Sequence, residues 1–255
     1  ANVLLLGGNV QEFLKIVRED LNDVPQSYDL FIGLQDMLHG APLSVNVDGI
    51  SEQDRFGGII YHFMSAYLNF DGDYTNFAEE IYKAKITARQ NNLHQLELFA
   101  DLMIGYAYLQ MESYEKADSI FYKIIKASND KGMSTLLYAA WFMMSELKLK
   151  QHKYDVAYGI VNNSLIQLEK NNMTTEYLLM LFKYNMFKVL MYQKQFDKAE
   201  ICINQAKYIA AKYGINFMFD DNPDNYVPIE DSEEDGDMLE QPVEEDIVSE
   251  EIEDL

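Results

Sequence analysis

Four short segments of this chain carry a similar pattern at a nearly constant interval. They are Tyr74-Thr75-Asn76-Phe77, Tyr114-Glu115-Lys116-Ala117, Tyr154-Asp155-Val156-Ala157 and Phe196-Asp197-Lys198-Ala199. The leading aromatics step by 40, 40 and 42 residues. A fixed period of this length is the signature of a repeat architecture, in which each unit buries its apolar face only by stacking on its neighbours.

Within each unit the apolar places suggest a helix hairpin. Three, seven and ten residues past the aromatic come Phe77, Ile81 and Ala84; Ala117, Phe121 and Ile124; Ala157, Val161 and Ser164; Ala199, Ile203 and Ala206. Those offsets line one face of a helix. Twelve residues before the first place stand Ser65, Gly105, Ser145 and Phe187, each among apolar neighbours such as Met64, Ile104, Met144 and Met186. That places a first helix ahead of each second helix, with a small residue at the close approach in three of the four. The expected fold is all-α, a solenoid of about four helix-turn-helix units over 56–219. Residues 1–55 supply extra N-terminal helices, as a cap or a worn repeat, with Gly40 and Pro42 breaking the chain before the array. Gly214 is the expected C-terminal cap of the last repeat helix.

This arrangement resembles the tetratricopeptide repeat, whose pattern runs W-x-x-L-G-x-x-Y and then, nine residues on, an Ala followed by F and A. The second unit matches best, with Ile104, Gly105, Tyr108, Ala117 and Phe121, and the third keeps Trp141 and Ala157. The period is longer than that family's usual unit and is similar to the repeats of kinesin light chains and MalT-type regulators. Phe187 and Phe77 depart from the small residues the pattern asks for. The resemblance implies a right-handed superhelix whose first helices line a concave, partner-binding groove. Mapped onto this chain, the groove places are His62, Ala66, Asn69, Leu102, Tyr106, Phe142, Glu146, Tyr184, Lys188, Met191 and Tyr192. Aromatic and Met side chains there suit an apolar or amphipathic partner segment. Lys188 is the only cation of the set, which disfavours a clamp for an acidic peptide terminus.

Charge is concentrated at one end. Of 42 acidic residues, 17 lie from Asp220 onward, where there is no Lys or Arg. The remainder holds 25 acids against 20 bases, so no basic face is available for phosphate contacts and direct nucleic-acid binding is not expected. Residues 220–255, with three prolines and little aromatic content, are expected to be a disordered acidic tail. Val243, Ile247, Val248, Ile252 and Leu255 are spaced to form one apolar helix face, a docking motif for a basic-rimmed groove if the tail does more than solubilise.

No catalytic constellation is expected. His39, His62, His94 and His152 have no second ligand at metal spacing, Gly7-Gly8 lacks any phosphate-loop pattern, and Cys202 between Ile201 and Ile203 suggests a packed thiol. No cofactor, metal or membrane insertion is expected, and a single cysteine fits a reducing, cytoplasmic setting. The expected function is a non-catalytic protein-binding scaffold or adaptor within a larger assembly. A regulatory sensor of a peptide or small effector, and a chaperone for a secreted or aggregation-prone client, stand as alternatives.

Overall fold

A computed structural model describes residues 59, 62–63, 65–66, 70–171, 176–213, 215 and 217–226. The expected N-terminal helices of 1–55, Asn69, Gly214 and the tail from 227 onward lie outside the described residues. Within them the chain is all-helical, with no strand. Seven helices follow one another: α1 (Tyr74–Gln90), α2 (His94–Gln110), α3 (Tyr114–Asp130), α4 (Ser134–Lys150), α5 (Tyr154–Asn171), α6 (Glu176–Tyr192) and α7 (Phe196–Tyr213). Ile59, His62, Phe63, Ser65 and Ala66 are helical ahead of them. Each helix packs on the next, and α2 also touches α4, as α4 touches α6.

The 40-residue echo resolves into a shorter beat. From α1 to α4 every helix is 17 residues, about 25 Å of rise, and each is followed by a three-residue turn. The middle turn residue takes a left-handed conformation: Asn92, Glu112, Gly132, His152 and, after α6, Lys194, with φ between 56° and 66°. The next residue's N–H then reaches back to a carbonyl five residues earlier: Leu93 to Ala88 at 2.9 Å, Ser113 to Tyr108 at 2.9 Å, Met133 to Ser128 at 2.8 Å, Lys153 to Lys148 at 2.9 Å and Gln195 to Leu190 at 2.8 Å. This is the Schellman closure of a helix end, which satisfies carbonyls that would otherwise be orphaned. Four of these five residues carry a Cβ, at a cost of about 1 kcal/mol each that the closing hydrogen bonds offset.

The two helix classes differ in burial because they differ in neighbours. The second helices bury one stripe each. In α1 it is Phe77, Ile81, Ala84 and Ala88, in α3 Ala117, Phe121, Ile124 and Ser128, in α5 Ala157, Val161, Ser164 and Leu168, and in α7 Ala199, Ile203, Ala206 and Ala210. The offsets three, seven and ten are therefore the core, extended by one more turn. The first helices are apolar nearly all round, since they sit between two second helices and their own counterparts: α6 buries eleven of its residues, α2 nine. Asp73 caps α1, its carboxylate accepting from the N–H of Thr75 at 2.8 Å.

Charged side chains tie the helices together at alternate junctions. Lys85 of α1 meets Asp101 of α2 at 2.7 Å, Lys148 of α4 meets Asp118 of α3, and Lys183 of α6 meets Glu169 of α5 at 3.7 Å. Asp101 is only 6% exposed, so loss of Lys85 would leave a buried carboxylate uncompensated.

Two mid-helix glycines give opposite expectations. Alanine is favoured over glycine in a helix by about 1 kcal/mol. At Gly159 a Cβ meets nothing within 4 Å, so Gly159→Ala should stabilise by roughly that amount. At Gly105 a Cβ would fall 2.5 Å from the ring of Phe121, which is fully buried. Overpacking of about 1–3 kcal/mol outweighs the helix gain there, and Gly105→Ala should lower stability. Chemical denaturation of both variants checks the signs.

Candidate functional site

The groove places fall into two rows once the helices are aligned. Leu102, Phe142 and Tyr184 each stand eight residues past the start of α2, α4 and α6; Tyr106, Glu146 and Lys188 stand twelve past. The first row belongs largely to the interior. Leu102 is 3% exposed and packs with α3 and α4. Phe142 is half-buried and meets Phe182 of α6 edge-on at 5.9 Å. Tyr184 is 8% exposed, Met191 4% and Ala66 4%. The expectation that Leu102, Tyr184, Met191 and Ala66 offer contact surface is therefore corrected. On helices apolar all round, the places a groove would use are taken by packing between successive units.

The second row reaches the surface. Tyr106 is half-buried, with its ring edge-on to Tyr74 of α1 at 6.0 Å. Glu146 and Lys188 form an ion pair from α4 to α6, and the Lys188 ammonium also lies over the Tyr184 ring, 4.9 Å from its centre. Tyr192 stacks on Tyr154 at 4.6 Å with the planes 16° apart. His62 is half-buried, its Nδ1 2.6 Å from a Glu80 carboxylate oxygen on α1. Tyr106, Glu146 and Lys188 thus stand at matching places on successive first helices that touch, a ridge in which Glu146 and Lys188 pair. The tail set from Val243 to Leu255 lies outside the described residues.

Beneath that ridge is a buried polar bridge that the sequence pattern did not reveal. The Asn185 amide donates to the Ser145 hydroxyl at 2.9 Å, and that hydroxyl donates to the Phe142 carbonyl at 2.7 Å. Asn185 is fully buried, and its side-chain oxygen has no partner. The bridge fixes α4 against α6 at the small position, where hydrocarbon alone would allow sliding.

The segment after α7 holds the main surprise. The tail boundary expected at residue 220 is passed by the packing. Phe217 and Phe219 meet Tyr184 at 5.5 and 5.3 Å, and Tyr226, 6% exposed, meets Phe187 and Tyr192 at 5.3 and 5.4 Å. The Tyr184 hydroxyl accepts from the Asp220 N–H at 2.9 Å and donates to the Asp220 carbonyl at 3.2 Å; the Tyr226 hydroxyl donates to the same carbonyl at 2.5 Å. Burial, then the hydrogen bond with Tyr184, pushes the Tyr226 phenol far above the usual tyrosine range. Tyr184 occupies the helix position of Phe142, whose partner is Phe182 on the next first helix. No further first helix follows α6 among the described residues, and the aromatic strap covers the face that one would cover. Phe187, at the place that Gly105 and Ser145 take in earlier units, packs edge-on against Tyr226 of the strap. Terminal units of stacked arrays need such a cover.

Among the described residues no group of His, Cys, Asp and Glu could hold a metal, and no helix is long and apolar enough to cross a membrane. Cys202 packs against the α6–α7 core, and burial pushes its thiol above the usual range. The chain matches no protein-family model, curated protein or solved structure.

Burial alone would raise the Glu80 carboxyl, but hydrogen bonds from Lys83 and His62 outweigh it and hold the group below its ordinary value; for Glu97 the Arg89 hydrogen bond outweighs burial in the same way. A depressed carboxyl contributes stability above its unfolded value, about 4.3, and loses it as pH falls through the folded value. The denaturation midpoint should drop on acidification below about pH 5, and less so in Glu80→Gln/Glu97→Gln; an equal drop would show that these pairs do not contribute. For the strap, Phe219→Ala/Tyr226→Ala should remove about 2 kcal/mol of local stability. Chymotryptic cleavage within 215–226 should then rise about thirtyfold while helicity by circular dichroism is kept.

Proposed function

We propose that this chain is a non-catalytic interaction scaffold, a right-handed superhelix of tetratricopeptide-like units that receives an apolar or amphipathic segment of a partner protein along its first helices. The observation that carries this reading is the partly exposed ridge of Tyr106, Glu146 and Lys188, flanked by Tyr192, on first helices that touch one another. Aromatic side chains held rigidly by packing give contact area at little entropic cost, and such residues dominate binding energy in interfaces. The charge on Lys188 is already satisfied by Glu146, so an acidic peptide terminus gains little there. Tyr106 and Tyr192 beside that pair favour a mainly apolar guest instead. The acidic residues beyond the strap suit a basic partner surface near the end of the array, working over a Debye length of about 8 Å at physiological salt. The arrangement fits an adaptor in a larger, cytoplasmic assembly.

Site-specific photo-crosslinking separates this ridge from the opposite face. A crosslinker in place of Tyr106 should capture a protein partner in cells, whereas one in place of Tyr122, 65% exposed on α3, should not. Tyr106→Ala should then weaken the captured complex by about tenfold, as loss of an aromatic anchor does. Capture from position 122 alone would overturn the reading.

A further inference from the structure

A second site lies away from the ridge, between α3, α4 and α5. A cleft of about 790 Å³ opens there, within the range of small-molecule sites. Its walls are the end of α3, Leu137, Tyr138 and Trp141 of α4, and the outward side of α5 around Gly159. Three observations mark it. First, none of its thirteen lining residues is Asp, Glu, Lys or Arg, where about three would be expected of a chain that is 24% charged. The smaller cleft between α6 and α7 includes Lys183. Secondly, Ser128 among the lining residues is fully buried, and its hydroxyl has no hydrogen-bond partner. An unmet buried hydroxyl costs stability unless something satisfies it. Thirdly, Gly159 lines the cleft and faces open space: a Cβ built there meets nothing within 4 Å. The same place holds Ile201 in α7, Ser119 in α3 and Glu79 in α1. A glycine in mid-helix is a cost in helix stability with no turn or close approach to explain it here.

We propose that this cleft binds an uncharged, flat, largely apolar small molecule bearing a hydrogen-bond acceptor. The apolar walls take the body of the ligand, with the Trp141 ring as a stacking face. The acceptor meets the Asn129, Asn163 and Gln167 amides that line the cleft; the Ser128 hydroxyl lies covered under that lining. A charged ligand would lose its hydration and find no counter-ion, which selects for neutral compounds. The site is independent of the ridge and of any protein partner.

Trp141 is the single tryptophan of the chain, which makes it the reporter. Nile red, an uncharged planar dye with a carbonyl acceptor, is titrated into the full chain. Saturable one-to-one binding is expected, with blue-shifted dye emission and a matching loss of tryptophan emission. Gly159→Leu should project into the cleft, weaken binding by at least about tenfold and leave the thermal midpoint undiminished. Val156→Asp, at a lining position already 50% exposed, places a charge in the cleft without touching the core. It should weaken binding to a similar extent, so the outcome does not hang on one variant. Absence of saturable binding to the wild-type chain, or undiminished binding by a folded variant, would overturn the proposal. Equally tight binding of the anionic dye anilinonaphthalene sulfonate would overturn its neutral selectivity.

Discussion

Everything in this fold depends on how closely the two helices of a hairpin and the helix of the next unit approach. Gly105 lets the Phe121 ring lie where a Cβ would stand, and Ala117, Ala157 and Ala199 open the second helices at the matching end. Dispersion and apolar burial fall off steeply with separation, so a small residue at the crossing makes the rest of the stripe effective. The buried stripes at three, seven, ten and fourteen residues are the product of that approach. The first helices, enclosed on several sides, must then be apolar nearly all round. A repeat array built this way has no single core; it has a chain of interfaces, each completed by its neighbour.

An open end is the difficulty such a chain of interfaces creates, and the aromatic strap resolves it at the C-terminal side. Phe217, Phe219 and Tyr226 supply, from irregular chain and the end of a 3-10 turn at Pro223–Asn225, the apolar surface that another helix would bring, and the Tyr184 and Tyr226 hydroxyls satisfy the Asp220 backbone as a helix would satisfy its own. The cover is partial. Phe196, the aromatic that opens the last unit, is 57% exposed, whereas Tyr74 and Tyr154 lie against Tyr106 and Tyr192 of the following first helices. In those two units the leading aromatic is thus a contact with the next first helix, and Phe196 is left bare where none follows among the described residues. Polar bridges set the register along the way. The junction ion pairs and the Ser145–Asn185 bond contribute little net energy against an apolar alternative, but each is directional, and a slide between units would break them.

Much of the fold was legible, and for identifiable reasons. Offsets from Tyr74, Tyr114, Tyr154 and Phe196 picked out buried residues in all four second helices, because an amphipathic helix writes its buried face in the sequence. The turns were harder to read. Glycine marks only the one at Gly132, while Asn92, Glu112, His152 and Lys194 adopt the left-handed conformation without it, so the 20-residue beat was hidden behind the 40-residue one. The candidate ridge was read only in part. A helix that is apolar all round carries no periodic signal to separate partner-facing from neighbour-facing places. Leu102, Phe142 and Tyr184 therefore looked like Tyr106, Glu146 and Lys188.

By itself the sequence determined the helical repeats, their length and the buried side of each second helix, since period and side-chain size act within one or two turns. Only the tertiary structure decided which first-helix residues stay at the surface, that Tyr226 closes the last unit, and that Gly159 and Ser128 stand at one cleft. Those outcomes depend on residues tens of positions apart meeting across helices, and no local pattern encodes a meeting of that kind.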